Sequence, residues 1–207
     1  MTKTNAFDTY AAANAHGETV IDLPALAAAL APLLGGTLGA IEPGRYGRAE
    51  ILMDGWAISL RHNHKKRDGI TARGWFPNGG NLHYGERPKL PEANLTIAQP
   101  VERIAKALRS RLVDAGAEAV ALYKGRSATR STQREQLKAA IAELTAAFPH
   151  ISVQLPADLQ ATSAPVHGRG GVYFSGSISF DGALSIDRIG SLKGDNAKAL
   201  LALLAKA

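Results

Sequence analysis

The stretch RHNHKKRDGITARGW, residues 61–75, brings five Lys/Arg, two His and one Trp into fifteen positions. Arg61, Lys65, Lys66, Arg67 and Arg73 are cationic at neutral pH, the chemistry that holds phosphate oxygens or the carboxylates of an acidic protein. Trp75 follows Arg73 by two residues and so shares its side of a strand, where an indole can stack on a nucleobase or fill a core. A second basic group, Lys124, Arg126, Arg130 and Arg134, lies in YKGRSATRSTQR. Its small and polar neighbours suggest a flexible loop. These ten residues form the expected binding surface for nucleic acid or a partner protein.

His62 and His64 would share one face of a strand, and with His83 or a carboxylate they could chelate a metal ion. The adjacent Lys65, Lys66 and Arg67 repel a divalent cation, so no metal and no other cofactor is expected. The chain has no cysteine, which removes thiolate metal sites and Cys nucleophiles. It also lacks the phosphate loop, the dinucleotide fingerprint and the Ser nucleophile elbow. Asp54 and Asp181 precede Gly at hairpin turns, while Asp22 and Asp195 stand at helix starts. Few carboxylates remain for a general acid–base pair, and a non-enzymatic protein is expected.

The formal net charge is +6, and its distribution is uneven. Residues 1–42 carry −3, residues 43–134 carry +9, and residues 135–207 balance at zero. A regional surplus of this kind suits a polyanion or an acidic partner, although a solvated face has the same composition. No apolar run reaches the roughly 18 residues of a membrane span. The polar start, MTKTNAFDTY, lacks the apolar core of a secretory signal. A cytoplasmic location without a membrane partner is expected.

The elements that must position these residues follow from periodicity. Residues 1–20 suggest a flexible lead-in. Asp22 can cap a helix over Leu23–Leu34, with Gly35-Gly36 as its stop and Pro32 able to end it a turn early. GRAEILMDGWAISLRHNH predicts two strands around Asp54-Gly55, with Trp56, Ile58 and Leu60 on one face and Ala57, Ser59 and Arg61 on the other. ITARGWFP and NLTIAQ supply further strands, and GGTLGA, coming after a helix, is taken as its glycine stop. Pro100 opens a helix to about Val113, and residues 123–131 are expected to be a linker. Thr132 and Glu135 have capping-box spacing ahead of a helix burying Leu137, Ala140, Ile141, Leu144 and Phe148. HISVQLP predicts a strand, GVYFSGSISF and GALSIDRI a hairpin around Asp181-Gly182, and Asp195 caps a last helix with Leu200, Leu201 and Leu204. The fold class is therefore α+β, with two small antiparallel sheets each packed on one face by helices. The domains run over 21–122, carrying the basic hairpin, and 132–207, a smaller αβββα unit.

NLTIAQPVERIAKALRSRL, followed by a helix and a small β-hairpin domain, resembles uncharacterised proteins carried by phages and plasmids of GC-rich bacteria, which implies a mobile-element origin. From about Gln133 the order resembles a double-stranded-RNA-binding domain, with Pro165 and His167 before the second strand and GSLKGDNAKALLALLA as the last helix. In that family lysines at the start of this helix grip phosphates. Lys193 and Lys198 are the nearest equivalents, but the adjacent Lys pair is absent and Asp195 intrudes. The expected function is largely sequence-independent binding of nucleic acid or a nucleoprotein complex through the 61–75 hairpin and the 123–134 loop. The alternative is an anti-defence inhibitor of the anti-CRISPR type, which binds a host effector complex by protein–protein contact.

Overall fold

The structure is a computed structural model that describes residues 6–13, 19–42, 47–63, 65–66, 68–77, 82–149, 151–158, 161–168 and 174–190. The architecture is α+β, and the chain divides into two compact units, one of residues 1–79 with 84–125 and the other of residues 80–83 with 126–207.

The first unit opens with α1 (Ala6–Tyr10), β1 (Ala11–Ala13) and β2 (Thr19–Ile21), the two strands paired antiparallel. Where the expected lead-in is described, over residues 6–13 and 19–20, it forms regular elements. The Ala6 and Phe7 amides donate to the Gln99 and Ile97 carbonyls at 2.9 and 3.0 Å, long-range bonds that no local pattern announces. α2 (Leu23–Leu34) is capped by Asp22, whose carboxylate accepts the Ala25 amide at 3.0 Å. Pro32 does not shorten it, because in the last turn only one backbone bond is forfeited. Gly35, at φ 79°, turns the chain out of the helix, and Arg109 Nη2 donates to the Leu33 carbonyl at 2.8 Å.

Five strands follow: β3 (Thr37–Glu42), β4 (Arg48–Leu52), β5 (Ala57–His62), β6 (Gly69–Trp75) and β7 (Glu92–Thr96). They form one antiparallel sheet in sequential order. β3 corrects the reading of GGTLGA as a mere helix stop. It is an edge strand with almost every residue exposed, so it shows no apolar alternation. Its glycines are needed for close approach, since a Cβ on Gly36 would lie 2.6 Å from the Leu52 carbonyl oxygen. Gly55, at φ 82°, makes the β4–β5 turn.

Strand register gives the sheet two chemically distinct faces. Ala49, Leu60, Ala72 and Ala93 form one inward row, flanked by Ile51 and Ile58 on one side and by Ile70 and Leu95 on the other. Leu26 and Leu30 of α2 complete this core with Ile104 and Leu108 of α3 (Val101–Leu108), all fully buried. The opposite row holds Arg48, Arg61, Thr71 and Asn94, beside Glu50, Ser59, Arg73 and Glu92.

After α3, residues Arg109–Asp114 widen into a π-helical turn and the chain continues as α4 (Ala115–Ala147). The expected linker over 123–131 is thus helix. No proline falls between Pro100 and Pro149, and Gly125 costs a helix only about 1 kcal/mol. Thr132 caps nothing; its hydroxyl donates back to the Ala128 carbonyl at 3.1 Å. In the first unit Tyr123 of α4 stacks on Phe76 with ring centroids 3.8 Å apart. Burial pushes the Tyr123 hydroxyl pKa up, partly offset by the Arg87 charge.

In the second unit α4 packs on β8 (Ile151–Val153), β9 (Ser163–Gly168), β10 (Phe174–Ser179) and β11 (Leu184–Ile189), an antiparallel sheet in that order. Leu137, Ala164, Val166 and Ile178 are its buried core, with Ala140, Ile141 and Leu144 packed around them. Phe148 departs from that stripe and is 55% exposed, because the helix ends one residue before it. Among the described residues the expected αβββα order reads as a helix and four strands, with Pro165 and His167 inside β9 rather than in a loop. The last expected helix, with Lys193, Asp195, Lys198, Leu200, Leu201 and Leu204, lies outside the described residues.

β10 and β11 shift register between Ser175 and Gly176. A Cβ on Gly176 would collide with the backbone carbonyl of Ser185, and backbone cannot rotate away as a side chain does. Gly176→Ala is expected to cost about 1–3 kcal/mol in thermal or urea unfolding of the whole chain. An unchanged midpoint would contradict this tight bulge.

Candidate functional site

The outward face of the first sheet gathers three of the expected site residues. Arg61 projects from β5, and Arg73 and Trp75 from β6, all on the side away from α2. Arg48 joins them from β4, directly opposite Arg61 in register. Its guanidinium carbon lies 5.5 Å from the centroid of the Trp75 ring, a cation–π contact that fixes the half-buried indole. Between these side chains is a cavity of about 280 Å³. The arginines and Trp75 wall it, with Ser59, Thr71 and Glu92.

Charge on this face is unevenly paired. Arg48 Nη2 lies 2.7 Å from Glu42 Oε1, and its Nε lies 3.5 Å from Glu50 Oε1. The Arg61 and Arg73 side chains make no ion pair or hydrogen bond with other described residues. Glu92, Arg73's cross-strand neighbour, is the carboxylate that lines the cavity and offsets part of their charge. An exposed, unpaired guanidinium has lost little hydration and keeps its five donors for an incoming anion.

The face also carries an unusual concentration of unmet hydrogen-bonding capacity. Among the described residues, the buried side-chain polar atoms without a hydrogen bond are Arg48 Nε, Glu50 Oε1, Ser59 Oγ and Trp75 Nε1. All four belong to the outward side of β4, β5 and β6. Arg48 and Glu50 attract one another without hydrogen-bond geometry, so their proximity does not satisfy either atom. Each orphaned group costs about 1–3 kcal/mol. Among the described residues these atoms gather on this one face of the sheet.

The turn from β5 to β6 is built by Asn63. Its backbone amide donates to the Gly69 carbonyl at 2.9 Å, and its carbonyl accepts from Lys66 N at 3.0 Å. Its side-chain oxygen accepts from Lys65 N at 3.1 Å. Lys65 and Lys66 are both exposed. Arg67 and His64 lie outside the described residues. His62 ends β5 in register with Ile70, on the inward side, so it belongs to the margin of the core.

The second expected cluster is corrected, since α4 replaces the loop. Lys124 Nζ lies 2.5 Å from Asp54 Oδ2, across the mouth of the β4–β5 hairpin. Arg134 donates to the Asp158 and Pro156 carbonyls at 3.0 and 3.1 Å, a structural duty on the segment after β8. Arg126 and Arg130 share its side of the helix at a spacing of four, and Arg130 Nη1 also reaches Gln133 Oε1 at 3.4 Å. These cations are largely engaged in holding the fold.

Sequence reasoning missed Arg48, Glu50, Ser59, Thr71 and Glu92 as members of the site. The signal was present in the period of two, because Arg48 and Glu50 alternate with Ala49 and Ile51 as Ser59 and Arg61 alternate with Ile58 and Leu60. Among the described residues no helix is long and apolar enough to cross a membrane. No family model, no curated protein and no solved structure matches the chain, and its site therefore speaks only through its own chemistry.

Proposed function

We propose that this protein is a non-enzymatic, cytoplasmic binder of nucleic acid, and that the strand backbone lies across the outward face of the five-stranded sheet. The observation that carries this reading is the pair of unpaired arginines, Arg61 and Arg73, beside Trp75 on a concave, partly unsatisfied surface. Guanidinium groups bind phosphate oxygens in a bidentate fork, and a sheet face bearing cations and an aromatic ring suits unstacked single strands. Lys65 and Lys66 extend the cationic path at the β5–β6 turn. Contacts of this kind position phosphates and carry no base identity, which supports sequence-independent binding. The cavity is lined by donors and a single carboxylate, a poor set for proton transfer and a good one for holding an anion.

The test is fluorescence anisotropy of labelled single-stranded DNA, single-stranded RNA and duplex DNA from 50 to 300 mM salt. The logarithm of affinity should fall linearly with that of salt, with a slope of about −0.7 per neutralised phosphate on single strands. Absence of binding at the lowest salt would contradict the reading. Lys65→Ala with Lys66→Ala should make that slope shallower by about 1.4, and exposed turn lysines should leave stability within about 0.5 kcal/mol. An unchanged slope would take the turn off the strand's path.

A second reading has one observation in its favour. Among the described residues β11 is the edge of its sheet and exposes Leu184, Ile186 and Ile189. An open edge with apolar side chains suits strand addition by a protein partner, as the inhibitor of a host effector complex would require. Co-purification of one defined complex after nuclease treatment, without oligonucleotide binding, would favour it over the first.

A further inference from the structure

We infer that the cavity walled by Ser59, Trp75, Arg61 and Arg73 is an oxyanion site for a phosphate monoester, the terminal phosphate of a nucleic acid strand; this deepens the nucleic-acid reading and rests on it. Ser59 is 7% exposed, yet its hydroxyl has no partner. The Trp75 indole N–H is likewise buried and unbonded, while Arg48 Nε, also without a hydrogen bond, lies 3.5 Å from Glu50 Oε1, a carboxylate oxygen outside the cavity lining. All three residues line the cavity. The indole N–H can only donate and the Ser59 hydroxyl can donate, so an acceptor in the cavity is the group that answers both. Arg61 and Arg73 add two unpaired positive charges at the same opening. An oxyanion meets both demands, while a neutral base edge, with its mixture of donors and acceptors, does not.

Phosphate chemistry and chain geometry select the terminal group. A monoester exposes three terminal oxygens and is mostly a dianion above its second pKa near 6. An internal phosphodiester has two free oxygens, one charge and a chain leaving in both directions. To reach recessed donors it must fold both neighbouring nucleotides back, whereas a strand end enters directly. Glu92, at the β7 side of the cavity, leaves an acceptor for a sugar hydroxyl of the same nucleotide.

The experiment compares one twelve-nucleotide sequence carrying a 5′-phosphate, a 3′-phosphate or hydroxyls at both ends. Anisotropy is read at pH 7.5 and 5.5, with inorganic phosphate and a nucleoside monophosphate as competitors. The expected result is about tenfold tighter binding of one phosphorylated end, the scale of one charge-assisted hydrogen bond. The preference should shrink at pH 5.5 as the dianion takes up a proton. Ser59→Ala should remove most of it without lowering the thermal midpoint, because that hydroxyl bonds to nothing in the free protein. Equal affinity for all three oligonucleotides would overturn the inference and leave the nucleic-acid reading standing. A full preference retained in Ser59→Ala would overturn the placement in this cavity. Binding of the monophosphate without binding of any oligonucleotide would overturn the strand-end assignment together with the reading beneath it.

Discussion

Replacing Arg61 and Arg73 together with alanine is expected to weaken binding of a single-stranded oligonucleotide by about a hundredfold at 0.1 M salt. Each side chain offers a charge-assisted contact worth about 1.5 kcal/mol or more, and two such losses reach that factor if they act independently. The free protein should notice little. Neither side chain has a partner among the described residues, and surface changes of this kind stay within about 0.5 kcal/mol of stability. The thermal midpoint is therefore the control that separates a lost contact from a lost fold. Lysine at both positions should restore part of the affinity, because it returns the charge without the planar fork. Unchanged binding in the double alanine variant would move the interface off this face.

The second large effect concerns the scaffold behind those arginines. Leu60→Ala is expected to destabilise the protein by about 2–5 kcal/mol. Leu60 is fully buried and stands in the inward row with Ala49, Ala72 and Ala93. Its three alanine neighbours in that row are too small to swing into the space left behind, so the cavity would persist. Urea unfolding should show the loss as a lower midpoint with an unchanged slope. Because Leu60 sits between Ser59 and Arg61 in β5, the folded fraction of this variant should still bind. A near-neutral change would mean that β5 presents its other face to the helices.

How much of this was legible depended on whether the determining contacts were local. The Asp54-Gly55 and Asp181-Gly182 hairpins were readable because the turn itself demands a residue with positive φ, and Gly55 and Gly182 adopt 82° and 80°. α2 was readable from Asp22 and Gly35, which act within one turn of its ends. The division of β5 into an apolar and a polar side was readable from alternation alone, and that division builds the site. β3 was not legible, since an exposed edge strand is held by its neighbour β4 and its glycines answer to Leu52 rather than to their own segment. The long helix through residues 123–131 was hidden for a different reason. Lys124, Arg126, Arg130 and Arg134 among small polar residues have the composition of a loop, while their role is set by distant partners, Asp54 for Lys124 and the Asp158 and Pro156 carbonyls for Arg134. The N-terminal anchor to Gln99 and Ile97 is another long-range bond of that kind.

The central claim is that the outward side of β4, β5 and β6 is the contact surface, and a nuclear magnetic resonance titration with a short single-stranded oligonucleotide tests it directly. The chain has two tryptophans, whose indole N–H signals report on opposite faces of the sheet. The account predicts that the Trp75 indole shifts together with the amides of residues 48, 59, 61, 71 and 73, while the Trp56 indole on the core side stays in place. Shifts that spare Trp75 and gather on α4 or on β11 would contradict it.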